Sequence, residues 1–200
     1  MFSIPGKSPV TITPSAERQI ATLMAAKSAQ GLRIGLKKGG CAGMEYTMEL
    51  TDAAQPGDEV LLPAPYWTSY SEEIQLADGV AVEVFAGADQ GYKVTVDQLE
   101  SARTDRTKAL LFCSPSNPTG AVYTPDEVRA IGEWALSHNL LVVSDEIYQN
   151  LTYDGVRAVS IVEAVPELAN NTILVNGVAK TFAMTGWRIG YAAGPADVIG

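Results

Sequence analysis

Residues 108–148 read KALLFCSPSNPTGAVYTPDEVRAIGEWALSHNLLVVSDEIY, and their pattern decides the fold class. From Lys108 to Cys113 the run Ala109-Leu110-Leu111-Phe112 is continuously apolar, which is what a strand covered on both faces requires. Thr124-Pro125-Asp126-Glu127 then combines an N-cap, a proline at the first helical position and a capping-box glutamate, predicting a helix to about His138. Leu140 to Ser144 is a second apolar run. A strand, a helix and a strand in that order make a crossover unit, and its strands pair in parallel. Outward from this unit the same signals recur at Val60 to Leu62, Val80 to Phe85, Thr172 to Val175 and Arg188 to Ala193. The expected fold class is α/β, with an open, mostly parallel sheet that binds ligands outside the carboxyl ends of its strands.

The N-terminal part follows another pattern. Thr13-Pro14 is a candidate cap and first residue of a helix to about Ala29, with Ile20, Leu23 and Met24 on one face. Leu32, Ile34 and Leu36 then alternate with Arg33, Gly35 and Lys37. After Gly39-Gly40-Cys41-Ala42-Gly43, the residues Met44, Tyr46, Met48 and Leu50 alternate with Glu45, Thr47 and Glu49. Two half-buried antiparallel strands joined by a glycine-rich loop are expected, with Glu45 and Glu49 on the solvated face. Charge divides at the same place. Residues 1–55 carry six Lys+Arg and four Asp+Glu, and residues 56–200 carry eight and nineteen. The reading is two units of different origin meeting near Gln55-Pro56-Gly57: a small α+β appendage, 1–55, and an α/β unit, 56–200.

Composition excludes several functions. The 200 residues carry a net charge of −9, so no basic face for nucleic acid is expected. No apolar run approaches the ~20 residues of a membrane span, and the first residues lack the apolar core of a secretion signal; the expected location is the cytoplasm. Two cysteines, Cys41 and Cys113, make no disulfide framework, and one histidine, His138, leaves neither a zinc cluster nor a Ser-His-Asp triad. His138 is read as a charge partner at a helix C-terminus, and Cys113 as a packing residue in an apolar strand.

Four polar clusters lie at the strand ends: Ser114-Pro115-Ser116-Asn117-Pro118-Thr119-Gly120, Ser144-Asp145-Glu146-Ile147-Tyr148 and Asn176-Gly177-Val178-Ala179-Lys180 follow predicted strands, and Met184-Thr185-Gly186-Trp187-Arg188 leads into the last. Converging on one crevice, they would bring together an amide, a carboxylate, a phenol, an amine and a guanidinium. A lysine in a desolvated pocket near another cation has a lowered pKa, and its neutral amine condenses with an aldehyde to a Schiff base. A buried carboxylate such as Asp145 keeps a heteroaromatic nitrogen protonated, and such a ring withdraws electrons from a conjugated carbanion. Asn117 and Tyr148 can hydrogen-bond a ring oxygen, and Arg188 can clamp a phosphate with paired donors. Trp67, after another apolar strand, offers an indole face for stacking. Each residue alone has a plainer reading: Lys180 a surface lysine, Asp145 a helix N-cap, Asn117 a turn residue before a cis or trans proline, Tyr148 and Trp67 core or rim aromatics, Arg188 an ion-pair partner. Their joint order favours the cofactor site.

PGDEVLLPAPYWTSY (56–70), TKALLFCSPSNPTGAVY (107–123), LVVSDEIY (141–148) and VNGVAKTFAMTGWRIGYAAGP (175–195) together make residues 56–200 resemble part of the large domain of class I, fold-type I pyridoxal-phosphate aminotransferases, especially the aspartate-aminotransferase group. The resemblance implies that Lys180 holds pyridoxal 5'-phosphate as a Schiff base. It pairs Asp145 with the pyridine nitrogen, sets Asn117 and Tyr148 on the ring hydroxyl, Arg188 on the phosphate and Trp67 on the ring face. It implies transamination between an amino acid and a 2-oxo acid, in amino acid metabolism, by a homodimer. The position three before Lys180, often a serine in that family, is Gly177.

Residues 7–60, containing VTITPSAERQIATLMAAKSAQGLRIGLKKGGCAGMEYTMEL, resemble the N-terminal half of an A-type (HesB-like) iron-sulfur carrier. That resemblance makes Cys41 a candidate metal ligand for iron-sulfur cluster assembly; otherwise it is a small residue in a glycine turn. One thiolate cannot supply the usual Cys₄ set, so no resident cluster is expected. Pro56-Gly57-Asp58-Glu59-Val60 fits both families, and the chain is expected to be a chimera truncated at Gly200. Iron-sulfur assembly accessory protein and inactive fragment are the alternative functions.

Overall fold

A computed structural model describes Ser15, Arg18 and Thr22, the stretches 31–39 and 43–51, and residues 57–199. The chain divides into two compact units, Met1–Gln55 and Pro56–Gly200.

In the first unit, Ser15, Arg18 and Thr22 are helical, and the rest of the helix expected to about Ala29 lies outside the described residues. Strands β1 (Gly31–Gly39) and β2 (Gly43–Thr51) pair antiparallel, with Leu32 opposite Leu50, Ile34 opposite Met48 and Leu36 opposite Tyr46. The apolar positions that alternate in the two runs are therefore paired with one another across the ladder. Cys41 lies outside the described residues.

The second unit contains β3 (Glu59–Ala64), α1 (Ser69–Leu76), β4 (Val80–Phe85), α2 (Val96–Ala102), β5 (Thr107–Cys113), α3 (Pro125–Ser137), β6 (Leu141–Asp145), α4 (Ile161–Ala164), β7 (Thr172–Gly177), β8 (Gly190–Ala193) and α5 (Ala196–Ile199). Its six strands form one sheet in the order β4-β3-β5-β6-β7-β8, parallel except for the antiparallel pair β7–β8. The expected mostly parallel α/β sheet is what forms.

Adjacent residues of the central strands point to opposite faces and enter different clusters. Leu61, Leu110, Phe112 and Val142 join Val128, Ile131 and Leu168 on one side, while Leu62 and Leu111 join Tyr70 and Ile74 on the other. Both faces are covered, which is why these strands are apolar without a break. Leu61 and Leu110 have no exposed surface; burying such a side chain contributes about 1.5–3 kcal/mol. Helix α3 starts where the sequence places it. The Thr124 hydroxyl accepts from Glu127 N–H while the Glu127 carboxylate accepts from Thr124 N–H, so two otherwise orphaned amides are satisfied. His138 caps the other end and contacts Glu100, as a charge partner would.

The last strand differs from its expected bounds. Thr185–Trp187 form a 3-10 turn and Arg188 sits at φ +53°, so extended geometry begins only at Gly190. All four residues of β8 are exposed, since it is the outermost strand and no described element of this unit covers it.

Candidate active site

The parallel register aligns the carboxyl ends of three neighbouring strands. Cys113 pairs with Asp145, and Asp145 with Val175. Asn117, Tyr148 and Lys180 follow those ends within a few residues, so the functional side chains come from the loops that leave one edge of the sheet. Trp67 follows the end of β3, after the cis Ala64-Pro65 bond; Ser114-Pro115 and Asn117-Pro118 are also cis.

Two side-chain groups result. In one, the Asn117 Nδ2 amide donates to the Tyr148 hydroxyl at 3.4 Å, and the Lys180 Nζ stands 5.5 Å from the centre of the Tyr148 ring. That separation lies within the range of cation–π attraction. A cavity of about 450 Å³, bordered by Ser116, Asn117, Pro118, Tyr148, Tyr153 and Val156, opens beside this group. In the other, the Tyr70 hydroxyl donates to Asp145 Oδ2 at 2.5 Å, and Ile147 N–H donates to Oδ1 at 3.0 Å. The Trp67 ring meets Tyr70 edge-on, 5.5 Å between centres, and keeps 44% of its surface exposed. Ser116 also lines the small cleft containing Tyr70 and Cys113, so the two groups share a wall.

Arg188 joins neither group among the described residues; its Nη1 donates to the carbonyl of Thr185 at 3.1 Å. Lys180 is exposed, not desolvated as the sequence reading supposed. The physical reason is its place on the loop between β7 and the uncovered β8. Asp145 is no helix N-cap, because no helix follows it; its carboxylate turns back on Ile147 instead.

Burial governs the titration of the interior members. Tyr70 is held far above the usual phenol range, first by burial and then by the neighbouring Cys113 and Asp145. Burial likewise pushes the Cys113 thiol up to about 11, with the Asp145 charge adding to the effect and the Tyr70 hydrogen bond opposing it. Cys113 is thus more than packing: its Sγ lies 3.3 Å from the Pro115 carbonyl and next to the Tyr70–Asp145 pair.

Gly177 has a steric explanation. A Cβ there would lie 2.9 Å from the Ile189 carbonyl oxygen and 3.2 Å from both Gly190 Cα and Ile147 Cδ1. Sequence reasoning missed Tyr70 and Glu146. Tyr70 stands three residues after Trp67 at one turn's spacing, a signal that could have paired them. Glu146 is buried, with both Ser144 and Ser160 donating to its Oε1; its place beside Asp145 gave no hint of burial.

The model of the family "Aminotransferase class I and II" matches residues 7–200. The chain belongs to this family. It is 59% identical over 144 residues to the aspartate aminotransferase of Streptomyces avermitilis, covering 72% of this chain and 35% of that relative. It is 55% identical over 143 residues to the aspartate aminotransferase of Geobacillus stearothermophilus, covering 72% of this chain and 36% of the relative. Among solved structures, the aspartate aminotransferase of Rhizobium meliloti superposes with a TM-score of 0.71 at 44% identity, over 74% of this chain and 37% of that one. The chain spans about a third of the length of the relatives it matches. Similarity at these levels carries the fold of the aminotransferase sheet.

Proposed function

We propose that this aminotransferase-family chain serves amino-group transfer between an amino acid and a 2-oxo acid, with pyridoxal 5'-phosphate as cofactor. The observation that carries the reading is the placing of the Lys180 amine over the ring of Tyr148, which is itself hydrogen-bonded to Asn117, at the strand end next to Asp145. The donor set fits the cofactor: an amine for its aldehyde, an amide and a phenol for its ring oxygen, a carboxylate with a free lone pair on each oxygen for its ring nitrogen, and a partly exposed indole for its flat face. When bound, the cofactor supplies an electron-withdrawing ring conjugated to the substrate's amino-bearing carbon. Lys180 would hold the cofactor's aldehyde through its amine, and the same amine is the group that could accept the substrate's Cα proton and return it to the conjugated carbon. Positioned proton transfer of this kind is typically worth ~10²–10⁴-fold. Asp145 would keep the ring nitrogen protonated, Asn117 and Tyr148 would hydrogen-bond the ring oxygen, Trp67 would stack on the ring, and Arg188 would hold the phosphate.

Names of the similar proteins support this assignment, as does the order of the four motifs along the chain. A homodimer in the cytoplasm is the working state that accompanies it; no described helix is long and apolar enough to cross a membrane. Adding pyridoxal phosphate to the purified chain and following its visible absorbance tests the assignment. A band shift in the wild type that is absent in Lys180→Ala is expected, and an equal response in both overturns it.

For the first unit, the β1–β2 ladder around the connection containing Cys41 favours a second reading, an A-type carrier half joined to the aminotransferase part in a chimera. Reconstitution with iron and sulfide tests the ligand role of Cys41, and an equal result in Cys41→Ser ends it. Sequencing reads that span codons 50–70 in the source genome test the junction, and a continuous natural locus removes the chimera.

A further inference from the structure

We infer that Tyr70 is a positioning residue for the cofactor: its buried hydroxyl locks the Asp145 carboxylate in the orientation that meets the ring nitrogen. The inference rests on the cofactor reading above and deepens it.

Three observations carry it. First, the contact is short and one of two: Tyr70 donates to Oδ2 at 2.5 Å and Ile147 N–H to Oδ1 at 3.0 Å. With one donor on each oxygen, the plane of the carboxylate is fixed, and each oxygen keeps acceptor capacity for a ring N–H. Second, Tyr70 cannot easily leave. Only 4% of its surface is exposed, and its ring packs with Leu62, Ile74 and Leu111 on the face of the sheet beneath the site. A hydroxyl held on a packed ring costs little further entropy to hold in place, whereas a surface donor would have to be ordered anew. Third, the same ring touches the Trp67 indole edge-on. Tyr70 therefore links the carboxylate that would meet the ring nitrogen to the indole that would stack on the ring. Asp145 and Tyr70 are 75 residues apart, joined by the fold alone.

Burial raises the Tyr70 phenol far above its usual range, which keeps its hydroxyl in the protonated, donating form. The other titratable group at this contact is the Cys113 thiol, also held protonated by burial. Cys113 lies within hydrogen-bond reach of the same hydroxyl, and the side-chain hydrogen bond that Asp145 accepts comes from Tyr70.

The test uses the full chain and four proteins: wild type, Tyr70→Phe, Asp145→Ala and the double variant. Phenylalanine keeps the ring that packs with Leu62, Ile74 and Leu111. Pyridoxal phosphate affinity is read by quenching of tryptophan fluorescence, and the visible absorbance of the bound cofactor is followed against pH. All measurements are made below the lowest of the four melting temperatures. Losing a hydrogen bond to a charged group should weaken binding by about tenfold or more in Tyr70→Phe. It should also displace the pH profile of the absorbance, a change that looser packing alone would not produce. In the Asp145→Ala background the same substitution should change neither, because Tyr70 then has nothing to orient. Equal affinity and an unmoved profile in Tyr70→Phe overturn the inference while leaving the cofactor reading intact, as does an equal effect of Tyr70→Phe in both backgrounds. A wild type that binds no pyridoxal phosphate overturns the cofactor reading and the inference together.

Discussion

Replacing Gly177 by alanine should destabilise the second unit, and the structure gives the size of the effect. Gly177 is the last residue of β7 and pairs with Gly190 at the start of β8. The added methyl would stand 2.9 Å from the Ile189 carbonyl oxygen, 3.2 Å from Gly190 Cα and 3.2 Å from Ile147 Cδ1. Two of these three neighbours are backbone, so no rotamer change relieves them. The β7–β8 ladder must open by roughly half an ångström to restore ordinary contact. Overpacking of this kind costs about 1–3 kcal/mol, which in a unit of this size lowers the melting temperature by roughly 3–10 °C. Gly186, whose added Cβ would meet nothing within 4 Å, is the control; its alanine variant should melt within about 2 °C of wild type. Thermal unfolding of the full chain followed by far-ultraviolet circular dichroism reads both. A Gly177→Ala protein that melts with the control would refute the claim that glycine is required by the close approach of β8.

Two further outcomes follow from the core and from the buried thiol. Leu110→Ala removes a fully buried side chain from the centre of the sheet and should cost about 2–5 kcal/mol in urea unfolding, with little change in slope. For Cys113, burial raises the thiol from 9.0 to about 11 in the folded chain, so the folded state binds this proton more tightly than the unfolded one. The associated stability is complete below pH 9 and is lost as pH rises toward about 11. The urea midpoint should therefore fall across that window more steeply in wild type than in Cys113→Ala, and parallel curves would contradict the assignment.

Much of this architecture was legible because its signals are local. The run Ala109-Leu110-Leu111-Phe112 announces a doubly covered strand, and Thr124 to Glu127 announces a helix start; both depend on residues a few positions apart. The antiparallel pairing of β1 with β2 was readable from two alternating runs around a glycine-rich connection for the same reason. What the sequence concealed depends on distant packing. The Tyr70–Asp145 contact joins residues 75 apart, and the burial of Glu146 needs Ser160 from beyond β6. The late start of β8 reflects the left-handed backbone of Arg188, an arginine having no sequence preference that would reveal it. Lys180 was expected in a desolvated pocket because its motif suggests chemistry, yet desolvation depends on what covers the β7–β8 edge.

Lys180 as the covalent anchor of pyridoxal phosphate is the centre of the account. The purified chain is incubated with pyridoxal phosphate, reduced with borohydride to fix the aldehyde on whichever amine holds it, and mapped by peptide mass spectrometry. The label is predicted on the peptide containing Lys180, and its yield should fall when Asp145 or Asn117 is replaced by alanine. Label spread evenly over exposed lysines such as Lys108, or absent from Lys180, would contradict it.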